Sequence, residues 1–475
     1  MMFKVKFFFL FIFWIFFFCS FLVSFSFSFV PPVKEFSWIG EDDFIFDSRT
    51  KIFLDSKEYS SQVKFFWLNL DQILGDYSKI CGVSRYSLLP KTFNPSFFSS
   101  AIYFLKDTNP VAQKILDSWN IAIENDEGYV ILINKDSFFV IFRTARGMYY
   151  AIQTIRDIFL MSHIKIVNKS KYLSIPNLLI VDYPTFSFRA VHLVISKKVG
   201  TKSIKNIIEK ASHFKFNYLI LQVNNNLKYA THPEISSSDA FTKEELRDII
   251  SFAKERYFSV IPELKLFCKQ QKLLASAYPK LMQSAFLSFK KKKQSFCYDP
   301  NKEVYPIIFD LIRELLDLFQ PEYFHIGHDE CFGIKYNPPQ SYLLFAEDVN
   351  RVANFLLKQG VKPIMWADMV IKSKNGKYKD LYKAINLINK SVIMVDWSYY
   401  PYQLDYSSVL LLREKGFEVI GATFKDERVI QRFSVFMKNL DPKPLGMIAT
   451  TWYYVPWKKK NFLFEILKVS SSYFW

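Results

Sequence analysis

The sequence predicts an α/β protein: a (β/α)8 TIM barrel over residues 179–475, preceded by a smaller α+β domain over residues 31–178 and a leader over residues 1–30. Three observations predict this. From Phe188 onward, short apolar runs alternate regularly with amphipathic stretches. Ahead of them, two apolar runs joined by a polar turn lead into a helical pattern. The opening thirty residues are apolar and almost free of charge.

The leader comes first. Lys4 and Lys6 precede Phe7–Val23, a run without a charged residue, which is the pattern of an export signal. The run approaches the roughly 20 residues that span a bilayer. Ser20–Phe29 lacks a clean small-x-small cleavage site, so a cleaved leader and a retained membrane anchor both stay open. Either one predicts an exported chain: extracellular, periplasmic or membrane-anchored.

In the next segment Tyr129–Ile133 and Phe138–Phe142 are rich in β-branched and aromatic residues, and Asn134-Lys135-Asp136-Ser137 separates them with turn chemistry. That predicts a hairpin. Ala145–Met161 then carries Tyr149, Ile152, Ile155 and Phe159 near helical spacing. Asp182-Tyr183-Pro184 breaks the pattern.

Eight strand candidates follow: Ala190–Ile195, Tyr218–Val223, Ser259–Leu264, Tyr323–Ile326, Pro363–Trp366, Ser391–Val395, Glu418–Ala422 and Gly446–Thr450. Amphipathic stretches lie between them, at Ser203–Phe214, Lys243–Arg256, Tyr305–Phe319, Leu343–Gln359, Lys379–Ile388, Ser407–Lys415 and Glu427–Asn439, with Phe462–Ser472 last. Strands alternating with helices imply parallel pairing through right-handed crossovers. Eight such units in roughly 290 residues match a (β/α)8 barrel in number and size. A doubly wound sheet uses similar units, but no Gly-rich phosphate loop follows the first strand.

Composition narrows the function. The 475 residues include 62 Lys and Arg against 45 Asp and Glu, a formal charge of +17. The basic residues are scattered, with dense runs only at Lys290–Lys293 and Lys458–Lys460, which argues for a solvated surface rather than nucleic-acid binding. After the leader, Cys81, Cys268, Cys297 and Cys331 show no metal-ligand spacing. Cys268 pairing with Cys297 or with Cys331, and buried free thiols, all remain open.

Active residues of such barrels stand at the C-terminal strand ends. Those ends carry Glu263, Gly327-His328-Asp329-Glu330, Trp366-Ala367-Asp368, Asp396-Trp397-Ser398-Tyr399, Phe424-Lys425-Asp426 and Trp452-Tyr453-Tyr454. Aromatic walls with a few acids suit a sugar ring, whose C–H faces stack while its hydroxyls need hydrogen bonds. No metal or cofactor is expected: His325, inside a strand pattern, reads as a hydrogen-bonded core residue.

The stretch His325-Ile326-Gly327-His328-Asp329-Glu330 resembles the His-x-Gly-x-Asp-Glu signature of glycoside hydrolase family 20. Asp182-Tyr183-Pro184 through Phe188-Arg189-Ala190 is similar to the segment leading into that family's barrel. Phe241-Thr242-Lys243-Glu244-Glu245-Leu246 through Ile261-Pro262-Glu263 is also family-like. The preceding unit, ending Gly147-Met148-Tyr149-Tyr150-Ala151-Ile152-Gln153-Thr154, resembles the family's non-catalytic domain. The resemblance implies a β-N-acetylhexosaminidase-like enzyme acting on an oligosaccharide or glycoconjugate. Glu330 is then the acid/base, and Asp329 orients the 2-acetamido group. Arg189, Glu263, His328, Asp368, Tyr399 and Asp426 are expected to bind substrate, between walls formed by Trp366, Trp397 and Trp452. Arg189 comes into this set only through the resemblance, because it lies at the starting end of its strand.

The adjacent carboxylates support the same division of labour. Conventional retaining glycosidases set acid and nucleophile about 5 Å apart across the scissile bond, and family 20 is a recognised substrate-assisted exception. Neighbouring side chains on extended backbone point oppositely, which suits one carboxyl for the leaving oxygen and the other for a group on the sugar. Glu330 would need its pKa raised, by a neighbouring carboxylate and apolar walls, to hold a proton near neutrality. Three positions depart from the family. Leu266-Phe267-Cys268-Lys269-Gln270 stands where members often have a His after the strand-three Glu. Phe424 replaces a Tyr, for which Tyr399 is the candidate stand-in. Tyr454 replaces a Glu. Two rival expectations follow: a glycosidase using Glu263 or Asp368 as nucleophile, and a catalytically silent carbohydrate-binding or cell-envelope protein.

Overall fold

The structure is a computed structural model that describes residues 28–47, 49–74, 86–89, 100–167, 170–283, 286–287, 294–300, 303–452 and 460–475. The leader through residue 27, Cys81, the Lys290–Lys293 run, Lys458, Lys459, Tyr453 and Tyr454 lie outside these residues. Among the described residues no helix is long and apolar enough to cross a membrane.

The first sheet comprises Glu35–Phe46 (β1), Lys51–Leu54 (β2), Ser87–Leu88 (β3), Ala101–Lys106 (β4), Tyr129–Ile133 (β5), Ser137–Phe142 (β6), His163–Val167 (β7) and Ser170–Asp182 (β8). Its path runs β1-β8-β5-β6-β4-β2-β3, with β7 also on β8. β5 and β6 form the expected antiparallel hairpin, its turn held by Asn134 Oδ1 accepting from the backbone N–H of Asp136 and Ser137. Ser60–Leu74 (α1), Pro110–Ser118 (α2) and Ala145–Met161 (α3) flank the sheet. α1 and α3 bury Phe66, Leu70, Ile152 and Phe159 on one face, while Ala112 and Leu116 of α2 pack on the other. Two covered faces explain why β5 and residues 138–142 of β6 are apolar instead of alternating.

The barrel strands are Phe188–Val194 (β9), Tyr218–Gln222 (β10), Ser259–Leu266 (β11), Tyr323–Gly327 (β14), Lys362–Trp366 (β15), Ile393–Trp397 (β16), Val419–Thr423 (β17) and Gly446–Thr450 (β18). They close in sequence order, all parallel, β18 returning to β9. Between β11 and β14 lies a two-stranded excursion, Phe286–Leu287 (β12) with Gln294–Ser295 (β13). The outer helices are Thr201–His213 (α4), Lys243–Lys254 (α5), Val304–Phe319 (α6), Gln340–Lys358 (α7), Ser407–Glu414 (α8), Glu427–Lys438 (α9) and Lys460–Phe474 (α10). The crossover from β15 to β16 differs from expectation. It is a 3-10 segment, Tyr378–Asn386, because left-handed Lys379 and Asp380 interrupt the α-helical ladder.

The strands obey a two-residue period. Phe188, Ala190, Ile220, Ile261, Ile364, Trp366, Val395, Ala422 and Ile448 fill the barrel, whereas Val191, Leu193, Leu219 and Leu221 face the helices. That parity decides which strand residues reach the site.

Candidate active site

The chain turns sharply at the end of β14. Gly327, His328 and Glu330 all have left-handed backbone, with φ of 75°, 65° and 48°. A Cβ on Gly327 would lie 2.9 Å from Lys265 Cα, so only glycine lets β14 approach β11 this closely. The kink sends three consecutive side chains three ways. His328 turns out of the barrel, where Nε2 meets Asp348 Oδ2 at 2.8 Å and the ring stacks on Phe267. Asp329 points inward and is buried. Glu330 stays half exposed, its backbone N–H held by Asp368 Oδ2 at 3.1 Å. A strained turn, not the expected extended strand, sets the buried Asp329 carboxyl beside the half-exposed Glu330 carboxyl.

Two lysines that the sequence argument did not assign organise the carboxylates. Lys265 Nζ lies 2.9 Å from Asp329 Oδ1 and 2.8 Å from Glu263 Oε1. Lys269 Nζ lies 2.6 Å from Asp329 Oδ2 and 2.7 Å from Glu330 Oε2. Burial would raise the Asp329 carboxyl, but these two ammoniums hold it well below the usual carboxylate range. Burial would likewise lower Lys269, but the charges of Asp329 and Glu330 outweigh it and push it up. Glu330 therefore lies against an ammonium where apolar walls were expected. Lys265 was findable: two residues past Glu263 on one strand, it shares Glu263's inward face. Lys269 had no such signal, because it follows the strand on an irregular loop.

Glu263 is fully buried beneath Asp329. Oε2 lies 2.6 Å from His192 Nε2, and Oε1 accepts from Trp366 Nε1 at 3.1 Å. Burial pushes Glu263 up, yet the Lys265 ammonium and the hydrogen bond to His192 outweigh it and keep the carboxyl well below its ordinary value. Burial first, then Lys265 and His192, lower His325 to about 3 against the pull of Glu263, so its ring is neutral. Asp368 is fully buried; Oδ2 also accepts from Asn375 Nδ2 at 2.7 Å. Burial and then the Asp329 charge raise Asp368 to about 6.

Aromatic rings form a continuous arc around these groups. Trp366 and Trp452 have centroids 5.1 Å apart, Trp452 and Tyr399 6.4 Å, and Tyr399 stacks on Trp397 at 4.9 Å. Trp366, buried and bonded to Glu263, is a floor rather than a wall. The Tyr399 ring lies edge-on to Phe424, with centroids 5.9 Å apart. The Lys265 ammonium lies 5.0 Å from the Trp452 ring and 5.4 Å from Trp366. Lys374, paired with Asp396, lies 4.7 Å over Trp397.

Three expected substrate contacts are corrected. Arg189 shares the outward parity of Val191 and Leu193 and sits at the opposite end of the barrel. There it pairs with Glu127 at 2.7 Å, donates to the carbonyls of Phe186 and Lys215, and packs on Trp475. It pins the two domains together. His328 faces Asp348, away from the barrel. Asp426 is the N-cap of α9, accepting from Val429 N–H at 3.2 Å. The cysteines resolve as Cys268 bonded to Cys297, with Cys331 a buried free thiol.

The comparisons agree with this architecture. Residues 186–426 match glycosyl hydrolase family 20, catalytic domain, and residues 40–183 match glycosyl hydrolase family 20, domain 2. A Porphyromonas gingivalis beta-hexosaminidase is 29% identical over 231 residues, covering 43% of this chain and 29% of the relative. A Dictyostelium discoideum beta-hexosaminidase subunit A2 is 25% identical over 262 residues, covering 52% and 46%. The chain thus spans less than half the length of these relatives. Among solved structures, a Vibrio harveyi exo beta-N-acetylglucosaminidase in complex with N-acetylglucosamine superposes with a TM-score of 0.71 at 15% identity, over 94% of this chain and 73% of the other. A Bacteroides fragilis beta-N-acetylhexosaminidase gives 0.68 at 17% identity, over 95% and 91%. With the catalytic-domain match covering more than half its length, this chain belongs to glycosyl hydrolase family 20.

Proposed function

We propose that this protein removes terminal β-linked N-acetylhexosamine from an oligosaccharide or glycoconjugate by substrate-assisted retaining catalysis. The observation that carries the proposal is the pair at the end of β14: a buried, ionised Asp329 beside a half-exposed Glu330, facing an aromatic arc. Glu330 protonates the glycosidic oxygen as the bond to the anomeric carbon breaks. The substrate's own acetamide oxygen forms the new bond to that carbon, while Asp329 holds the acetamide N–H and balances its developing positive charge. Water then opens the ring intermediate and returns a proton to Glu330. Trp397, Tyr399 and Trp452 supply the stacking surface, and Glu263 with His192 and Lys265 fixes the floor.

A conventional nucleophile has less support. Glu263 is fully buried with both oxygens engaged, and Asp368 anchors the Glu330 backbone. A second reading, sugar binding without turnover, draws on one observation: both Asp329 oxygens are occupied by lysines. We also propose, from the leader, that the chain is exported.

Hydrolysis of an aryl N-acetyl-β-glucosaminide against the matching aryl β-glucoside tests the proposal. Cleavage of the acetamido substrate alone supports it. Cleavage of the glucoside points to a protein nucleophile, and binding without cleavage of either establishes the silent reading.

A further inference from the structure

Lys269 is held in a built seat. Cys268 before it is bonded to Cys297. Gln270 after it donates from Nε2 to the carbonyls of Lys265 and Cys268, at 2.7 and 3.1 Å, and from its backbone N–H to Phe296. Phe267 accepts from Tyr298 N–H and stacks on His328. Phe267 and Lys269 themselves have left-handed backbone, at φ of 60° and 61°. A strained, cross-linked loop is an expensive way to place an exposed lysine, and here it delivers a mostly covered ammonium to two carboxylates at once.

We propose that Lys269 is a positioning residue of the reaction: its single ammonium bridges Asp329 and Glu330 and holds the two carboxyls in one arrangement. This rests on the hydrolase proposal above and deepens it. Two neighbouring carboxylates repel, and a shared cation removes that penalty. During bond cleavage Glu330 passes its proton to the leaving oxygen and becomes a carboxylate. Lys269 keeps all its own protons and stabilises that new charge as it develops.

Among the described residues, Glu330 meets Lys269 at its carboxylate and Asp368 at its backbone N–H, and Lys265 reaches the pair through Asp329. Lys269 is the cation among the described residues that contacts the Glu330 carboxylate directly.

The test is kcat and KM, measured separately on an aryl N-acetyl-β-glucosaminide, for wild type, Lys269→Met and Lys269→Arg. In Lys269→Met kcat is expected to fall about fivefold, the size of a partly exposed ion pair, with KM unchanged. The Arg variant should recover most of that loss. A lysine that only braces the loop would lower stability and leave kcat of the folded enzyme in place, and that result overturns the proposal. Thermal melting separates a misfolded Met variant, for which Lys269→Gln is read instead. Wild-type inactivity on all hexosaminides would overturn the hydrolase proposal itself, and this inference with it. An active wild type with an unchanged kcat in the variant overturns this inference alone.

Discussion

Arg189→Met separates the structure's account of this residue from the one the family resemblance implies. Arg189 is 1% exposed, its partner Glu127 is nearly as buried, and the charges are 2.7 Å apart. The methionine keeps much of the aliphatic contact with Tyr150 and Trp475 but removes the charge. Glu127 then retains Arg146 at 3.2 Å and Asn217 Nδ2 at 3.1 Å, while the Phe186 and Lys215 carbonyls lose a charged donor. Breaking a buried pair from one side costs about 3–5 kcal/mol. The surviving partners of Glu127 place the loss nearer about 3 kcal/mol, and each carbonyl left without a donor adds about 1 kcal/mol or more. Equilibrium urea unfolding, followed by Trp fluorescence, measures this as a lower midpoint at similar slope. The folded variant should keep the wild-type KM. Unchanged stability with a steeply raised KM would refute the argument and return Arg189 to the sugar site.

Two further outcomes follow from the site. Glu330→Gln should lower kcat/KM on an unactivated hexosaminide by roughly 10²–10⁴-fold, with folding unchanged because the side chain is half exposed; steady-state kinetics and melting read both. Asp368, raised to about 6, binds a proton in the folded protein that the unfolded chain releases at lower pH. Stability attributable to it therefore falls as pH rises from about 4 to 6, by up to about 3 kcal/mol. Asp368→Asn should flatten that slope in urea titrations run across the window.

The barrel was legible in the sequence because eight buried strands separated by amphipathic helices leave a periodic trace that local side-chain burial alone can produce. The strands appear within a residue or two of where periodicity set them. The one crossover that failed, Tyr378–Asn386, breaks at Lys379 and Asp380, whose left-handed backbone no apolar pattern reveals. The placement of Asp329 and Glu330 at the C-terminal end of a barrel strand was legible through their motif. The positions of Arg189, His328 and Asp426 were not, for three separate reasons. Strand parity turns Arg189 outward, a left-handed turn swings His328 away, and helix capping claims Asp426. Lys269 was invisible because its role depends on a disulfide and a loop whose partner segment comes nearly thirty residues later. Residue identity along a strand carries direction; residue identity on an irregular loop does not.

The central claim is that the substrate's own acetamide, held by Asp329, attacks the anomeric carbon while Glu330 delivers the proton. It is tested most directly by comparing kcat/KM for an aryl N-acetyl-β-glucosaminide with that for its N-trifluoroacetyl counterpart. Fluorine withdraws electron density from the carbonyl oxygen and leaves the leaving group unchanged. The account predicts a steep fall with fluorination. Equal rates on the two substrates would show that the acetamide takes no part in bond cleavage and would contradict it.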